Sequence, residues 1–548
     1  MRIRAGGRMF QFHERRWPSS SGLAAVRLCP ANCRVPAICL PLATFLSLAM
    51  CGAVAEEVPP STAPDMRVRV ALDVAGHLLA PGTGAGGPDT GGMVREPVTV
   101  SARFDFEESP VAAAVVRRQF RDASAGLQIG ERHIRTSLEP DARLVLVARR
   151  GTTPVPYLAD GFLSGEEVDL LETPFDSLLL DDLLPAEAVS IGGVWQVSPD
   201  LVAGLLAIDT VESGGIEARL VGVEAGRAKV AMTGVIDGAV DGVPTHVTVE
   251  GTFAAGAQRA DAPNDADDAE PVDETVDETV DETVVESVDE GDSAAVLHRL
   301  VGRVLSVSAV IAERRQPGHV APGFDVEARL QVARGPVEAS PDVRTVVEPA
   351  ADRQPPAVRE ATVTRRRGPG GPGQVWYRDP QDRFDLVHDA RWRRIEDGPS
   401  GLVLRFVDHG TLVGQCSVTS MTTSPMEAAG TRVPGIEDVR KDIERSLAGQ
   451  IGRIDAEEQG RRPDGLHVVR VEASGAAGRL PFRWIHYVIA TDDGRRAGVT
   501  FMFEESLRER FANADRTLVE SFRFATPRAV PPEGPTAAVP DAGGPVVR

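Results

Sequence analysis

The sequence predicts an α+β protein, and three observations carry that expectation. Runs that alternate apolar and polar residues follow one another closely, which is the period of half-buried strands. A few segments space apolar residues by three and four, which is the period of a helix face. Two compositionally biased stretches divide the chain into separately patterned regions. With 548 residues there is room for two to four ordinary domains. An apolar content of 42% is enough for packed cores, and a net charge of −21 argues against a nucleic-acid binder, which would present a basic face.

The first 55 residues read as an address. Arg2, Arg4, Arg8, Arg15, Arg16, Arg27 and Arg34 precede an apolar stretch from Val35 to Ala55, broken by Pro36 and Pro41. Ala53-Val54-Ala55 then meets Glu56-Glu57, so a basic region, an apolar region and a small-residue cleavage site stand in order. A periplasmic or extracellular protein beginning at Glu56 is expected. Leu48-Ala49-Met50-Cys51 resembles a lipobox, and membrane attachment is expected only if Cys51 is lipidated. Cys29, Cys33, Cys39 and Cys51 all fall in this segment. Cys416 is left alone in the mature chain, where the surrounding alternation marks it as a core thiol.

Residues 56–335 form the expected N-terminal α+β domain. Val68–Leu72, Val98–Phe104 and Leu144–Ala148 alternate as strands. The Gly82–Gly87 loop has the letters of a dinucleotide fingerprint, but Pro88-Asp89-Thr90-Gly91-Gly92 follows where a helix must start. Leu163–Leu184 reads as largely helical, with Glu166, Glu167, Asp181 and Asp182 as acids near helix starts. Pro199–Ile208 reads as a short apolar helix. A meander of strands follows at Glu217–Val223, Ala228–Val235 and Thr245–Gly251, with Asp241-Gly242 as a hairpin turn. Arg303–Ser308 and Asp325–Gln331 are expected to continue it. Between them and the earlier strands lies 260–293, with fifteen acids and no bases; its repeated Val-Asp-Glu-Thr should stay solvated, as a loop joining adjacent strands. Residues 336–374, rich in Pro, Gly and Arg, read as an extended tether.

Residues 375–525 read as a second domain, followed by a disordered tail at 526–548. Phe384–Val387 and Trp392–Ile395 open it, and Leu402–Phe406 and Cys416–Thr419 are strands. Ile436, Val439, Ile443, Leu447, Ile451 and Ile454 share one helix face. Val468–Val471, Arg483–Ile489 and Ala497–Phe503 are strands, and a closing helix carries Leu507, Phe511, Ala514, Leu518 and Phe522. The opening Phe384-to-Trp392 segment, the middle helix, the Trp484–Tyr487 strand beside Gly498–Phe503, and the ending Ser521-Phe522-Arg523-Phe524 resemble the PsbP-like family. The resemblance implies a PsbP-like α/β/α domain that acts in binding or assembly and has no active site.

The chain carries no H-E-x-x-H, no Walker A, no paired C-x-x-C and no G-x-S-x-G. His388, His409, His467 and His486 lack the local spacing of a metal site, and Asp408-His409 has no serine on a strand–helix turn to complete a triad. No catalytic residue, metal or cofactor is expected. The expected function is an exported, non-enzymatic binding or assembly protein with two modules on a flexible tether and a protein partner. Trp392, Trp484 and Tyr487 are its candidate partner contacts. The alternatives are a carrier with an apolar ligand enclosed by the N-terminal sheet, and a hydrolase with an unrecognised site.

Overall fold

The computed structural model describes residues 65–81, 93–259, 296–318, 322–337, 367–421, 434–446 and 451–525. The expected secretory segment with Cys51, the Gly82–Gly87 loop, the acidic stretch 260–293, most of the tether and the tail lie outside the described residues.

The strands of the N-terminal region are long, so the fold class is mostly antiparallel β-sheet and the α+β expectation is corrected. In chain order they are β1 (Met66–Pro81), β2 (Met93–Ala112), β3 (Val115–Ile129), β4 (Arg132–Ser137), β5 (Leu144–Arg150) and β6 (Thr153–Tyr157). Next come β7 (Leu163–Ser164), helix α1 (Gly165–Leu171), β8 (Val189–Ser190), β9 (Val194–Gln196) and helix α2 (Pro199–Leu206). The meander then runs as β10 (Thr210–Glu224), β11 (Arg227–Val240), β12 (Val243–Arg259), β13 (Leu297–Arg315) and β14 (Gly323–Pro336). The last strand, β14, pairs with β1, so the sheet order is β6-β5-β3-β2-β1-β14-β13-β12-β11-β10-β9. β12 and β13 are neighbours, as expected for strands flanking the acidic stretch. Asp241 and Gly242 both take positive φ, at 52° and 77°, between the paired Val240 and Val243. That is the geometry of a tight hairpin whose twist matches its strands.

Alternation decides which face of this sheet is buried. Ala123, Phe104, Val70, Val332, Val307, Phe253, Val230 and Leu220 form one row across eight strands, and all are buried. Leu179, Leu180, Leu183, Val202 and Leu205, from the segment between β7 and β10, are among the least exposed side chains and cover this apolar face. The long helix expected at 163–184 is shorter. Ser164 and Glu167 form a capping box that starts α1, and the helix ends at Leu171. Pro174 and Phe175, the latter at φ 54°, then turn the chain before a single 3-10 turn at Leu180–Leu183. The acids of this segment are anchors. Asp181 accepts from Arg334 at 2.6 Å and from the Val304 amide at 2.9 Å, while Asp182 pairs with Arg149.

The C-terminal region contains β15 (Gln374–Arg378), β16 (Phe384–Asp389), β17 (Trp392–Gly398), β18 (Gly401–Asp408), β19 (Thr411–Ser420) and helix α3 (Ile436–Ser446). It continues with β20 (Ile451–Arg461), β21 (His467–Ala477), β22 (Leu480–Ala490), β23 (Arg496–Glu504), α4 (Arg508–Phe511), α5 (Ala514–Ser521) and β24 (Arg523–Phe524). Seven strands form an antiparallel sheet ordered β17-β18-β19-β23-β22-β21-β20. The expected α/β/α domain is therefore corrected to an antiparallel sheet with short helices. Ile451 and Ile454 lie on β20 rather than on the helix, and the closing helix is broken at Ala512, which has φ 46°. Trp392, Phe406, Phe501, Phe503 and Phe511 fill the main core, with Phe384, Phe522 and the buried thiol of Cys416. Val439 and Ile443 of α3 pack on Val469 and Val471.

The described parts of the two regions are docked. β15 adds in parallel to β7, pairing Val375 with Leu163 and Trp376 with Ser164. Arg394 bonds Glu166 at 2.6 Å. The described end of the Pro/Gly stretch is packed: the Gly161 amide donates to the Gly368 carbonyl at 2.7 Å, and a Cβ on Gly370 would lie 2.2 Å from the carbonyl oxygens of Leu158 and Gly161. Glycine is required there because two backbones meet.

Candidate functional site

The strongest site is a trough on the open face of the N-terminal sheet, and the sequence supplies it through small residues. The cross-strand register sets Asp122, Asp105, Arg69, Ala333, Ser306, Ala254, Lys229 and Gly222 side by side across eight strands. This row directly neighbours the buried apolar row, so its side chains point the opposite way. The middle of the row is small, and Ala71, Gln331, Ser308 and Thr252 widen the same floor. Asp122, Asp105 and Arg69 towards one end and Lys229 towards the other are longer and charged. The result is a trough of about 1000 Å³.

Bulges make the sheet bend there. The register slips by one residue at Arg121 on β3, at Val221 on β10 and at Leu305 on β13, each next to the row. A second slip on β13 leaves Gly302 and Arg303 unpaired, with Gly302 at φ 78°. A bulge bends its strand and increases its twist, and three of them beside one row curve the sheet around it.

The charges of the trough divide into paired and unpaired groups. Arg67 holds Asp105 through two hydrogen bonds, at 2.9 and 2.6 Å, and these donors, together with the nearby Arg69 and Arg121, keep its carboxyl below the usual range. Arg103 is bidentate to Asp73 at 3.0 Å. The side chains of Arg69, Arg227 and Lys229 make no hydrogen bond or ion pair among the described residues. A ligand lying across the trough would meet charges of both signs at its ends, Asp122 and Arg69 at one and Glu224, Arg227 and Lys229 at the other, with hydroxyl and amide groups along the floor.

A second cavity, of about 260 Å³, lies at the seam between the regions. Its walls are Val145, Val147, Pro154 and Pro156 of β5 and β6, Leu171 at the end of α1, and Ala203, Ala207 and Ile208 around the end of α2. Arg391, Asp408 and His409 of the C-terminal region close its rim. On its polar wall Arg118 is buried against Phe106, 5.0 Å from the ring centroid. It donates to Glu108 at 2.9 Å and to both oxygens of Asp176 at 2.8 and 2.5 Å, and Ser177 bridges to Glu108 at 2.7 Å. Burial works against the charge of Arg118, yet the two carboxylates outweigh it and raise its pKa.

The residues singled out from the sequence fall elsewhere. Trp392, Trp484 and Tyr487 are all buried, so their role in this chain is packing, and the expectation of partner contact through them is corrected. The Tyr487 hydroxyl donates to Asp515 at 2.7 Å and accepts from Arg470 at 3.0 Å; burial, with the Asp515 carboxylate, pushes its pKa up. Asp408 and His409 do meet, at 3.2 Å, but no serine lines the seam cavity. Burial would raise the Asp408 carboxyl, but hydrogen bonds from Arg510, His409 and Arg391 outweigh it and hold it low. His388 and His486 are desolvated and pulled down to about 4, so both are neutral near pH 7. Among the described residues no three His, Cys, Asp or Glu side chains are placed to hold a metal ion, and no helix is long and apolar enough to cross a membrane.

No family model and no curated protein matches this sequence. Among solved structures, the cyanobacterial PsbP (CyanoP) of Synechocystis sp. PCC 6803 is similar at 18% identity, over 28% of this chain and 92% of its own, with a TM-score of 0.22. Lipovitellin, in a structure describing its lipid–protein interactions, is similar at 9% identity over 51% of this chain and 26% of its own, with a TM-score of 0.23. A mutant porin of Rh. blastica is similar at 8% identity over 80% of this chain and 99% of its own, with a TM-score of 0.11. At these TM-scores none of the three fixes the fold of this chain.

Proposed function

We propose that the chain is an exported, non-enzymatic binding protein and that it holds its ligand in the trough of the N-terminal sheet. The supporting observation is that three bulges, at Arg121, Val221 and Leu305, adjoin one row whose middle is made of small side chains. Bulges interrupt ladder pairing, and they cluster where a sheet must be shaped around something. A sheet serving only as a scaffold has no need of them at one level. An apolar ligand would instead need the other face, which Leu179, Leu180, Leu183, Val202 and Leu205 already cover. In this reading the C-terminal module, PsbP-like in its sequence pattern, supplies the contact with a protein partner.

Two measurements test the two halves of the proposal. Protein recovered from the producing cell should begin at Glu56 by N-terminal sequencing; a lipid on Cys51, or a retained residue before Ala53, would defeat the export route. For the trough, hexaglutamate, hexalysine, cellohexaose and a hexauronate are the probes. At least one should raise the thermal midpoint by about 2 °C or more, through binding to the folded state alone. The same probe should have no effect on Ala333→Trp, which places a large side chain on the floor at an exposed position. If no probe binds, or the variant binds as well as the parent, the trough is not the site.

A further inference from the structure

We infer that the seam cavity is a second binding site, separate from the trough, for a small neutral molecule with an apolar body. A cavity of about 150 Å³ lined by apolar side chains takes one benzene ring. The seam cavity measures about 260 Å³, which leaves room for a ring with a short side chain. Phe120, Val145, Val147, Pro154, Ala203 and Ile208 give it apolar walls, and it lies between two regions of the fold, where sites for small molecules are common.

The neutrality of the ligand follows from where the charges of the wall already point. Arg118 is bidentate to Asp176 and also bonds Glu108. Asp408 accepts from Arg510 at 3.0 Å and from Arg391 at 3.2 Å, and meets His409 at 3.2 Å. Asp209 accepts from the Asp241 amide at 2.5 Å, and Glu172 also has a partner within the chain. Every charged group of the lining is thus engaged before a ligand arrives. An ion entering the cavity would give up its water without gaining a free counter-charge, which is a net cost. The uncommitted polar groups are neutral. The side-chain hydroxyls of Thr153 and Thr173 line the cavity and make no hydrogen bond among the described residues. They suit a hydroxyl or carbonyl on the ligand, with its hydrocarbon along Val147 and Ala203.

The walls come from both regions, so an occupant bridges them. β5, β6 and α2 supply one side, and Arg391, Asp408 and His409 the other. Occupancy is therefore expected to raise the thermal midpoint of the folded chain.

The test uses three probes of one shape on the full chain at neutral pH: 2-phenylethanol, 2-phenylethylamine and phenylacetate, with affinity read by calorimetry. The alcohol should bind about tenfold or more tighter than either ion, because each ion is desolvated without a free partner. The double variant Thr153→Val, Thr173→Val removes the two hydroxyls at nearly constant volume and should weaken the alcohol about fivefold, the loss of one neutral hydrogen bond. Ala203→Trp, which fills the cavity, should abolish binding, with its circular dichroism compared with the parent to establish folding. Amine or phenylacetate binding as tight as that of the alcohol, no binding of any probe, unchanged alcohol affinity in the threonine variant, or undiminished alcohol binding to a folded Ala203→Trp variant would each overturn the assignment.

Discussion

Replacing Arg118 by Met is expected to destabilise the chain by about 3–5 kcal/mol at pH 7, the cost of leaving buried charge without its partner. Glu108 and Asp176 would remain, both buried and both without a cation within reach. The pH dependence distinguishes this cause from lost packing. In the variant, two anions stay buried with no cation beside them, and acid can discharge them. A raised carboxyl costs stability while it is ionised, and that cost disappears as pH falls through its folded pKa. The deficit against the parent should therefore shrink between pH 7 and pH 5. Adding Glu108→Gln and Asp176→Asn to the variant should recover most of it at pH 7. Denaturant unfolding at the two pH values measures both. A deficit below about 1 kcal/mol, or one that pH leaves unchanged, would mean that the cluster is not an ion-pair core.

Replacing Trp392 by Ala is the second large effect, again about 3–5 kcal/mol. The indole meets Phe406 at 5.0 Å, Phe501 at 5.8 Å and Phe511 at 6.2 Å between ring centroids, the last edge-on at 90°. Truncation removes a large buried area and three aromatic contacts together, and the surrounding rings belong to three different elements that cannot all move inward. Trp392→Phe should recover more than half of the loss. Chemical unfolding followed by far-ultraviolet circular dichroism separates the outcomes. A loss below about 1 kcal/mol for the alanine variant would place Trp392 outside the core.

The alternation of single strands was legible in the sequence, and so was the turn at Asp241-Gly242, because both are local signals. Glu217–Val223, Ala228–Val235 and Thr245–Gly251 each lie inside an observed strand, as do Arg303–Ser308 and Asp325–Gln331. The pairing of β1 with β14 was not legible, since it joins residues such as Val70 and Val332 that share no local pattern. The trough escaped for the same reason. Ala333, Ser306 and Ala254 are unremarkable in their own strands and become a floor only when register aligns them. Bulges hide well too: Leu305 adds one residue to an alternating run and leaves it looking continuous. At 163–184 the apolar spacing pointed to a long helix, but Pro174 and the positive φ of Phe175 cut it short. The partner residues went astray because tryptophan and tyrosine fill a core as readily as they anchor an interface.

The pairing of β1 with β14 also fixes an order of events for a chain that emerges with its N-terminus first. β1, β2 and β3 can zip into hairpins as soon as they appear, because they are consecutive. The other edge of β1 has no partner until β14 arrives, more than 200 residues later, so its backbone groups stand open for the whole interval. Long-range pairings of this kind form slowly, and a bare strand edge recruits neighbouring chains. Correct assembly of this sheet is thus favoured when the early hairpins stay apart from their copies until residue 336 has passed.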